Sequence, residues 1–186
     1  MALKVDTRRI LAESLENLLE KRELKDITVN EIVGNCGAAR STFYHHFKDK
    51  YDLANWIYED FLTGYLNTQE HVDMDYYSMQ LEPLEFIYSK KTFFSKICKY
   101  KGQNCFYEFV VQITQKRAVE MARRIQKTDN LPEEILIAID YMSSGHAYLL
   151  NKWVVQGFFI KPDKMAQYLL ENTAPGIERI CRVEEL

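Results

Sequence analysis

Apolar side chains recur at intervals of three and four along most of this chain, the period of an amphipathic helix. Between residues 7 and 22, Ile10, Leu11, Leu15, Leu18 and Leu19 form one stripe, with Asp6 or Thr7 placed to cap its start. Leu24 and Ile27 then pack where the chain turns. Thr28 with Glu31 has capping-box spacing, which predicts a short second helix that buries Val29, Ile32 and Val33 and stops near Gly37. A third short helix over residues 40–47 sets Phe43 and Phe47 on one face at i, i+4. One longer helix and two short ones split by a glycine-containing turn have the form of a helix-turn-helix bundle.

After Lys50 the pattern lengthens. Leu53, Trp56, Ile57, Phe61 and Tyr65 form one stripe, and the polar, tyrosine-rich segment 71–80 reads as a loop. Residues 84–97 read as two helical pieces. Residues 105–126 place Phe106, Phe109, Val110 and Ile113 on one face, with Lys116, Arg117, Arg123 and Arg124 assigned to a solvated face. Pro132 opens a run through Ile135, Ile139, Met142, His146, Leu149, Leu150 and Trp153 that Gly157 ends, and Pro162 starts a last helix with Met165 and Leu169. Nothing alternates with the period of a strand. The fold class is therefore all-α: an N-terminal three-helix bundle over residues 1–50 and a larger helical domain over 51–186.

Composition narrows the class. The 186 residues are 47% hydrophobic and 27% charged, the balance of a globular protein. No apolar run approaches the ~20 residues that span a bilayer, and the N-terminus lacks a signal pattern, so a cytoplasmic location without membrane partners is expected. Cys36, Cys98, Cys105 and Cys181 form no C-x-x-C pair, which predicts free thiols and no metal site. His45 and His46 are neighbours on a helix, so they point about 100° apart and make a poor ligand pair. No nucleophile–base arrangement, paired-carboxylate motif or phosphate loop can be assembled, which argues against an enzyme and against a cofactor. The net charge of −3 means that any nucleic-acid surface must be local. Residues 40–50 provide one, with Arg40, Lys48 and Lys50 against Asp49 alone, plus the two histidines.

The words Ser41-Thr42-Phe43-Tyr44-His45-His46-Phe47, then Lys48-Asp49-Lys50 and Leu53, follow the Thr28-x-x-x-Ile32 opening of the second helix and the turn Gly37. In order and spacing this stretch resembles the DNA-binding signature of the tetracycline-repressor (TetR) family. A major groove admits one helix, whose N-terminal residues meet the base edges, so Arg40 and Ser41 are candidates for reading bases. Tyr44, one turn on, suits a thymine methyl or a phosphate. The resemblance also implies a base or backbone contact for Asn30 and phosphate contacts for Thr28, Thr42, His46 and Lys50, with His45 and Lys48 as further backbone contacts. One position departs from the family pattern. Ala39 stands where a capping hydroxyl or acid is usual, which costs about 1 kcal/mol locally.

In that family the remaining helices bind an effector, and the last two long ones dimerise as a four-helix bundle. The pattern Gly145-x7-Trp153-x3-Gly157-x4-Pro162 is similar to a subgroup that includes regulators of dihydroxyacetone-kinase operons. These likenesses imply a homodimeric repressor or activator on a pseudo-palindromic double-stranded operator. Gly145, Tyr148, Trp153, Met165 and Leu169 are its candidate interface, with Trp153 equally suited to the protomer's own core. Phe86, Phe93, Phe109, Tyr141 and His146 are the candidate effector pocket, for a small apolar ligand; a protein coactivator is the other kind of input. The alternative reading is a helical protein-interaction module that has lost DNA binding and answers to a protein partner. Ala39 is its foothold.

Overall fold

The computed structural model describes residues 6–67 and 76–173, and all regular elements among them are helical. Helix α1 (Thr7–Lys21) starts at Asp6, whose side chain accepts from the Arg8 N–H. A 3-10 turn (Leu24–Asp26) leads to α2 (Val29–Cys36), which ends on Gly37 at a φ of 72°, a conformation that a side chain would strain. Helix α3 (Arg40–His46) follows directly. Leu11, Leu15, Leu19, Ile27, Ile32 and Phe43 are sealed from solvent where α1, α2 and α3 meet. A polar pin crosses this core: the buried Ser14 hydroxyl donates to the Ile32 carbonyl at 2.7 Å and accepts from Asn35.

Helix α4 (Lys50–Asn67) begins at Asp49, whose carboxylate accepts from the Tyr51 and Asp52 N–H groups. Helices α5 (Tyr76–Ser89), α6 (Lys91–Ile97), α7 (Phe106–Gln126), α8 (Glu133–Val155) and α9 (Pro162–Glu171) complete the larger part, with α7 packed on α8 and α5 on α9. Trp153 is fully buried, and its indole N–H donates to the Ile160 carbonyl at 2.9 Å across the left-handed turn made by Gly157 and Phe158. No helix among the described residues is long and apolar enough to cross a membrane.

The two parts share one continuous hydrophobic core that runs from Leu11 to Leu169. Polar contacts reinforce the seam. Lys90, just before α6, pairs with Glu16 on α1, and Lys96 donates to the Leu19 and Arg22 carbonyls at the end of α1. A cation at a helix C-terminus satisfies carbonyls that have no partner inside the helix.

Two expectations change. The segment 71–80 lies outside the described residues up to 75, but Tyr76–Gln80 is the first part of α5 and not loop. Tyr77, Leu81 and Leu84 form its inward stripe, and the polar rim of the tyrosine hides that period from a hydrophobicity count. Arg117 does not belong with Lys116, Arg123 and Arg124. It falls four residues after Ile113 and seven after Val110, on the inward stripe of α7, and is half-buried while the other three are exposed.

Replacing Lys96 with Met should strip the end of α1 of its donor and lower stability by about 1–3 kcal/mol. The expected readout is a lower urea midpoint with an unchanged slope, whereas the exposed Lys99→Met should leave the midpoint in place. Equal midpoints in the two variants would show that Lys96 does not hold α1.

Candidate nucleic-acid interface

On α3, Arg40 and Tyr44 stand one turn apart, as do Ser41 and His45, and all four are exposed. Arg40 donates to Asn30 Oδ1 at 2.7 Å and to the Tyr44 hydroxyl at 3.3 Å, with its guanidinium 5.4 Å from the Tyr44 ring centroid. Asn30 belongs to α2, so this cluster ties the outward faces of both short helices. Behind it, the buried Phe43 ring meets Tyr44 edge-on at 5.4 Å. Ala39 offers no side-chain cap to α3, as expected from its residue type. His46 is exposed with its ring edge-on to His45, Thr42 is half-buried, and Lys48 is exposed at the turn into α4.

Thr28 and Lys50 both make contacts within the chain. Thr28 caps α2: its hydroxyl accepts from the Glu31 N–H, and the Glu31 carboxylate accepts from the Thr28 N–H and hydroxyl. Arg22 binds Glu31 and the Asp26 carbonyl, completing a cluster over the start of α2. The Lys50 ammonium is turned inward onto the Ile27 and Lys25 carbonyls, at 2.6 and 3.0 Å, and its partial burial lowers its pKa. Two of its three donors are thus spent on backbone, so Lys50 positions the chain before Thr28 before it can reach any phosphate.

Sequence reasoning missed a second set of positioning residues. Asn104 donates to Asp49 at 2.8 Å, Asn55 donates to the Asn104 carbonyl, and Tyr100 stacks on Tyr51 at 3.9 Å between ring centroids. The loop between α6 and α7 thereby pins the junction of α3 with α4. Scattered asparagines and tyrosines carry no sequence period that would reveal it.

The proposed effector and interface residues do not gather as expected. Phe86 stacks on Phe61 at 3.9 Å and Phe93 packs edge-on to Phe94, both in the aromatic core, with Phe109 half-buried beside it. Tyr141 is 79% exposed, on the face of α8 away from the core, so it lines no interior pocket. His146 is half-buried, and burial pulls its imidazole down to about 4. Two open grooves of about 280 and 300 Å³ lie between α1 and α4–α6, with Phe93 in one and Phe86 in the other. Trp153, Met165 and Leu169 fill the protomer's own core, because the turn after α8 folds α9 back over them; only Gly145 and Tyr148 of the interface set face outward.

Comparison with known proteins places this arrangement. A family model described as "Bacterial regulatory proteins, tetR family" matches residues 11–56, and one described as "Transcriptional regulator C-terminal region" matches residues 74–174. The HTH-type dhaKLM operon transcriptional activator DhaS of Lactococcus lactis is 27% identical over 100 residues, 52% of this chain and 51% of that protein. An HTH-type transcriptional regulator of Staphylococcus aureus is 27% identical over 74 residues, 40% of each chain. The chain thus spans about half or less of these curated relatives. The solved structure of a dihydroxyacetone kinase operon activator, DhaS, superposes with a TM-score of 0.64 at 18% identity, over 95% of this chain and 98% of that one. A TetR transcriptional regulator from Streptococcus agalactiae gives 0.60 at 19% identity, over 89% and 92%. These likenesses show a shared fold.

The cap cluster has a pH signature. Arg22 above all, then the Thr28 N–H and hydroxyl, hold Glu31 from 4.5 down to about 2. Its contribution is full above the ordinary carboxylate range and is lost as pH falls toward the folded value. Glu31→Gln should therefore unfold at lower urea at about pH 6 and lose less stability than the parent on going to about pH 3. Parallel losses in the two proteins would rule out the cluster as the source.

Proposed function

Because the chain belongs to the TetR family of transcriptional regulators, we propose that it binds a pseudo-palindromic operator as a homodimer and that an effector governs this binding. The observation that carries the reading is the outward Asn30–Arg40–Tyr44 cluster at the start of the second short helix of the helix-turn-helix. Arg40 is aimed by its neighbours, so on DNA it exchanges Asn30 and Tyr44 for the acceptors of a guanine edge. Ser41 is its neighbour in base reading. Thr28, Thr42, His45, His46 and Lys48 are placed for backbone contacts that set register. Residues 1–50 act as the reading head, and 51–186 take up the effector and the second copy.

The dimer face is best sought on the outer side of α8. Ile137, Tyr141, Tyr148 and Val155 are exposed at heptad-compatible spacing, with Ser144 and Gly145 between them. Large apolar side chains in one exposed stripe mark an interaction surface. A Cβ at Gly145 would meet nothing within 4 Å, so a partner helix has room to approach. Two reading heads must then lie about 34–36 Å apart to enter successive major grooves, and an effector acts by favouring or disfavouring that separation.

Fluorescence anisotropy with the DNA flanking the chain's own gene tests the site. Arg40→Ala should cost about 1–3 kcal/mol and relax specificity at one base position, while Lys48→Ala should weaken all sequences alike and reduce the salt slope by about one. Tyr44→Ala should lose operator binding with its unfolding midpoint unchanged, whereas Lys50→Ala should lose both. Undiminished binding in both the Arg40 and Tyr44 variants defeats this assignment. Replacing Tyr141 and Tyr148 together with Glu should give a folded monomer in analytical ultracentrifugation; a dimer of parental strength would move the interface elsewhere. One relative is named as an activator, so a promoter–reporter fusion decides the sign of regulation here.

A further inference from the structure

No acidic residue stands between Glu85 and Glu108, and that stretch carries five lysines in a chain whose net charge is −3. Two of them hold the head: Lys90 pairs with Glu16, and Lys96 donates to carbonyls at the end of α1. The Lys91 ammonium lies 3.6 Å from the centroid of the Tyr88 ring. Lys99 and Lys101 remain. Both are exposed in the loop between α6 and α7, and among the described residues neither belongs to an ion pair. A local excess of one charge sign, kept apart from the opposite sign of the whole chain, is the footprint of a polyanionic partner.

The loop that carries these lysines is built against the start of α4. Tyr100, between them, stacks on Tyr51 with centroids 3.9 Å apart and planes 8° from parallel. Asn104 donates to Asp49 Oδ2 at 2.8 Å, and Asn55 donates to the Asn104 carbonyl at 3.0 Å. Two turns close within the loop, where the Tyr100 N–H donates to the Ile97 carbonyl and the Cys105 N–H to the Gly102 carbonyl. A side chain at Gly102 would run into the Tyr100 ring, so this glycine lets the ring sit where it meets Tyr51. Tyr51 in turn lies 5.3 Å from the Lys50 ammonium, which rests on the Lys25 and Ile27 carbonyls just ahead of Thr28. The starts of α2 and α4 and the segment 99–101 are therefore neighbours, with Lys48 exposed at the turn into α4.

We infer that Lys99 and Lys101 hold the phosphate backbone of the duplex beside the recognition helix, so that the larger part of the chain makes a DNA contact of its own. This rests on the operator-binding reading above and extends its surface beyond residue 50. A helix in a major groove has phosphates along both walls, and contacts to them set register without reading sequence. Lys48 is assigned to that backbone, and the loop stands against the residues that follow it. Lys50 must give up carbonyls to reach a phosphate, whereas Lys99 and Lys101 displace counterions without first breaking bonds within the chain. Lysine is a point charge on a flexible stem, suited to phosphates more than to a base edge. Tyr100 and Gly102 are positioning residues that fix the backbone between the two ammonium groups.

The full chain is titrated by fluorescence anisotropy, from low to high salt, with a mixed-sequence duplex and with the DNA flanking its own gene. Lys99→Gln with Lys101→Gln should lower the slope of log affinity against log salt by about two. It should weaken both duplexes by the same factor, about tenfold or more at physiological salt, with the urea midpoint of the parent. Lys99→Arg with Lys101→Arg should restore the slope, because the charges return. Gly102→Ala keeps both lysines but displaces Tyr100, and should lose about one from the slope. Lys116→Gln with Arg124→Gln makes the same change of net charge on exposed positions of α7 and should leave the slope in place. A parental slope in the Lys99 and Lys101 double glutamine variant, an equal fall in the Lys116 and Arg124 variant, or a loss confined to one duplex would overturn the inference. A parental slope in Gly102→Ala would overturn the positioning role of Tyr100. If the parent binds neither duplex, the regulator reading itself fails; if it binds and the double glutamine variant matches it, that reading stands and the loop contact falls.

Discussion

Leu11, Leu15 and Leu19 on α1 are buried against α2, α3 and α4, while the same helix is gripped by the larger part through Lys90, Lys96 and contacts with α6. Helix α1 thus contributes to two packing arrangements at once. Its apolar stripe organises the three-helix head, and its polar edge and C-terminal carbonyls are fixed by residues some seventy positions away in sequence. Every other feature of the head is placed relative to it: Ser14 reaches the α2 backbone, and α2 in turn carries Thr28 and Asn30. The head is thus tied to α6 through α1.

The second anchor is at the opposite end of the head. Asp49 caps α4 and is itself held by Asn104, so the chain leaving α3 is fixed from the α6–α7 loop. Lys50 then turns back to the carbonyls before α2. Together these contacts surround α3, a seven-residue helix that lacks a side-chain cap at Ala39 and that would be marginal alone. The missing cap matters less than the sequence suggests, because Phe43 and Phe47 fasten the helix into the core and the capping box of α2 lies alongside. Tertiary packing supplies the orientation that a local signal fails to supply.

That contrast explains what was legible in the chain. Apolar periodicity and end signals located the helices well, since core-facing leucines and phenylalanines at Leu11, Phe43 or Ile113 have no other place to go. It failed where a side chain is amphipathic. Tyr76–Gln80 looked polar yet starts a helix; Tyr141 looked like a pocket residue yet faces outward; Trp153 suited an interface or a core, and the turn at Gly157 and Phe158 decided for the core. The basic residues show the same limit. Arg40 stands at a helix start, as its place in the sequence implies, but the inward turn of Lys50 depends on carbonyls distant in sequence. Charge counting along a chain cannot separate a solvated cation from one buried on the next face of the same helix.

On the proposed reading, in which Arg40 meets a base edge, its state before DNA arrives bears on discrimination. Its guanidinium is already hydrogen-bonded to Asn30 and Tyr44 and lies over the tyrosine ring, so part of its side-chain entropy is lost in the free protein. A correct base must then replace bonds that exist and not merely attract a mobile cation, which shrinks the gain at the right sequence. At a wrong sequence the loss is larger, since Arg40 either keeps Asn30 and leaves the groove unfilled or is desolvated without acceptors. Preorganisation of this kind gives up absolute affinity while preserving the difference between sequences. On the same reading that difference matters, because an operator competes with an excess of unrelated duplex.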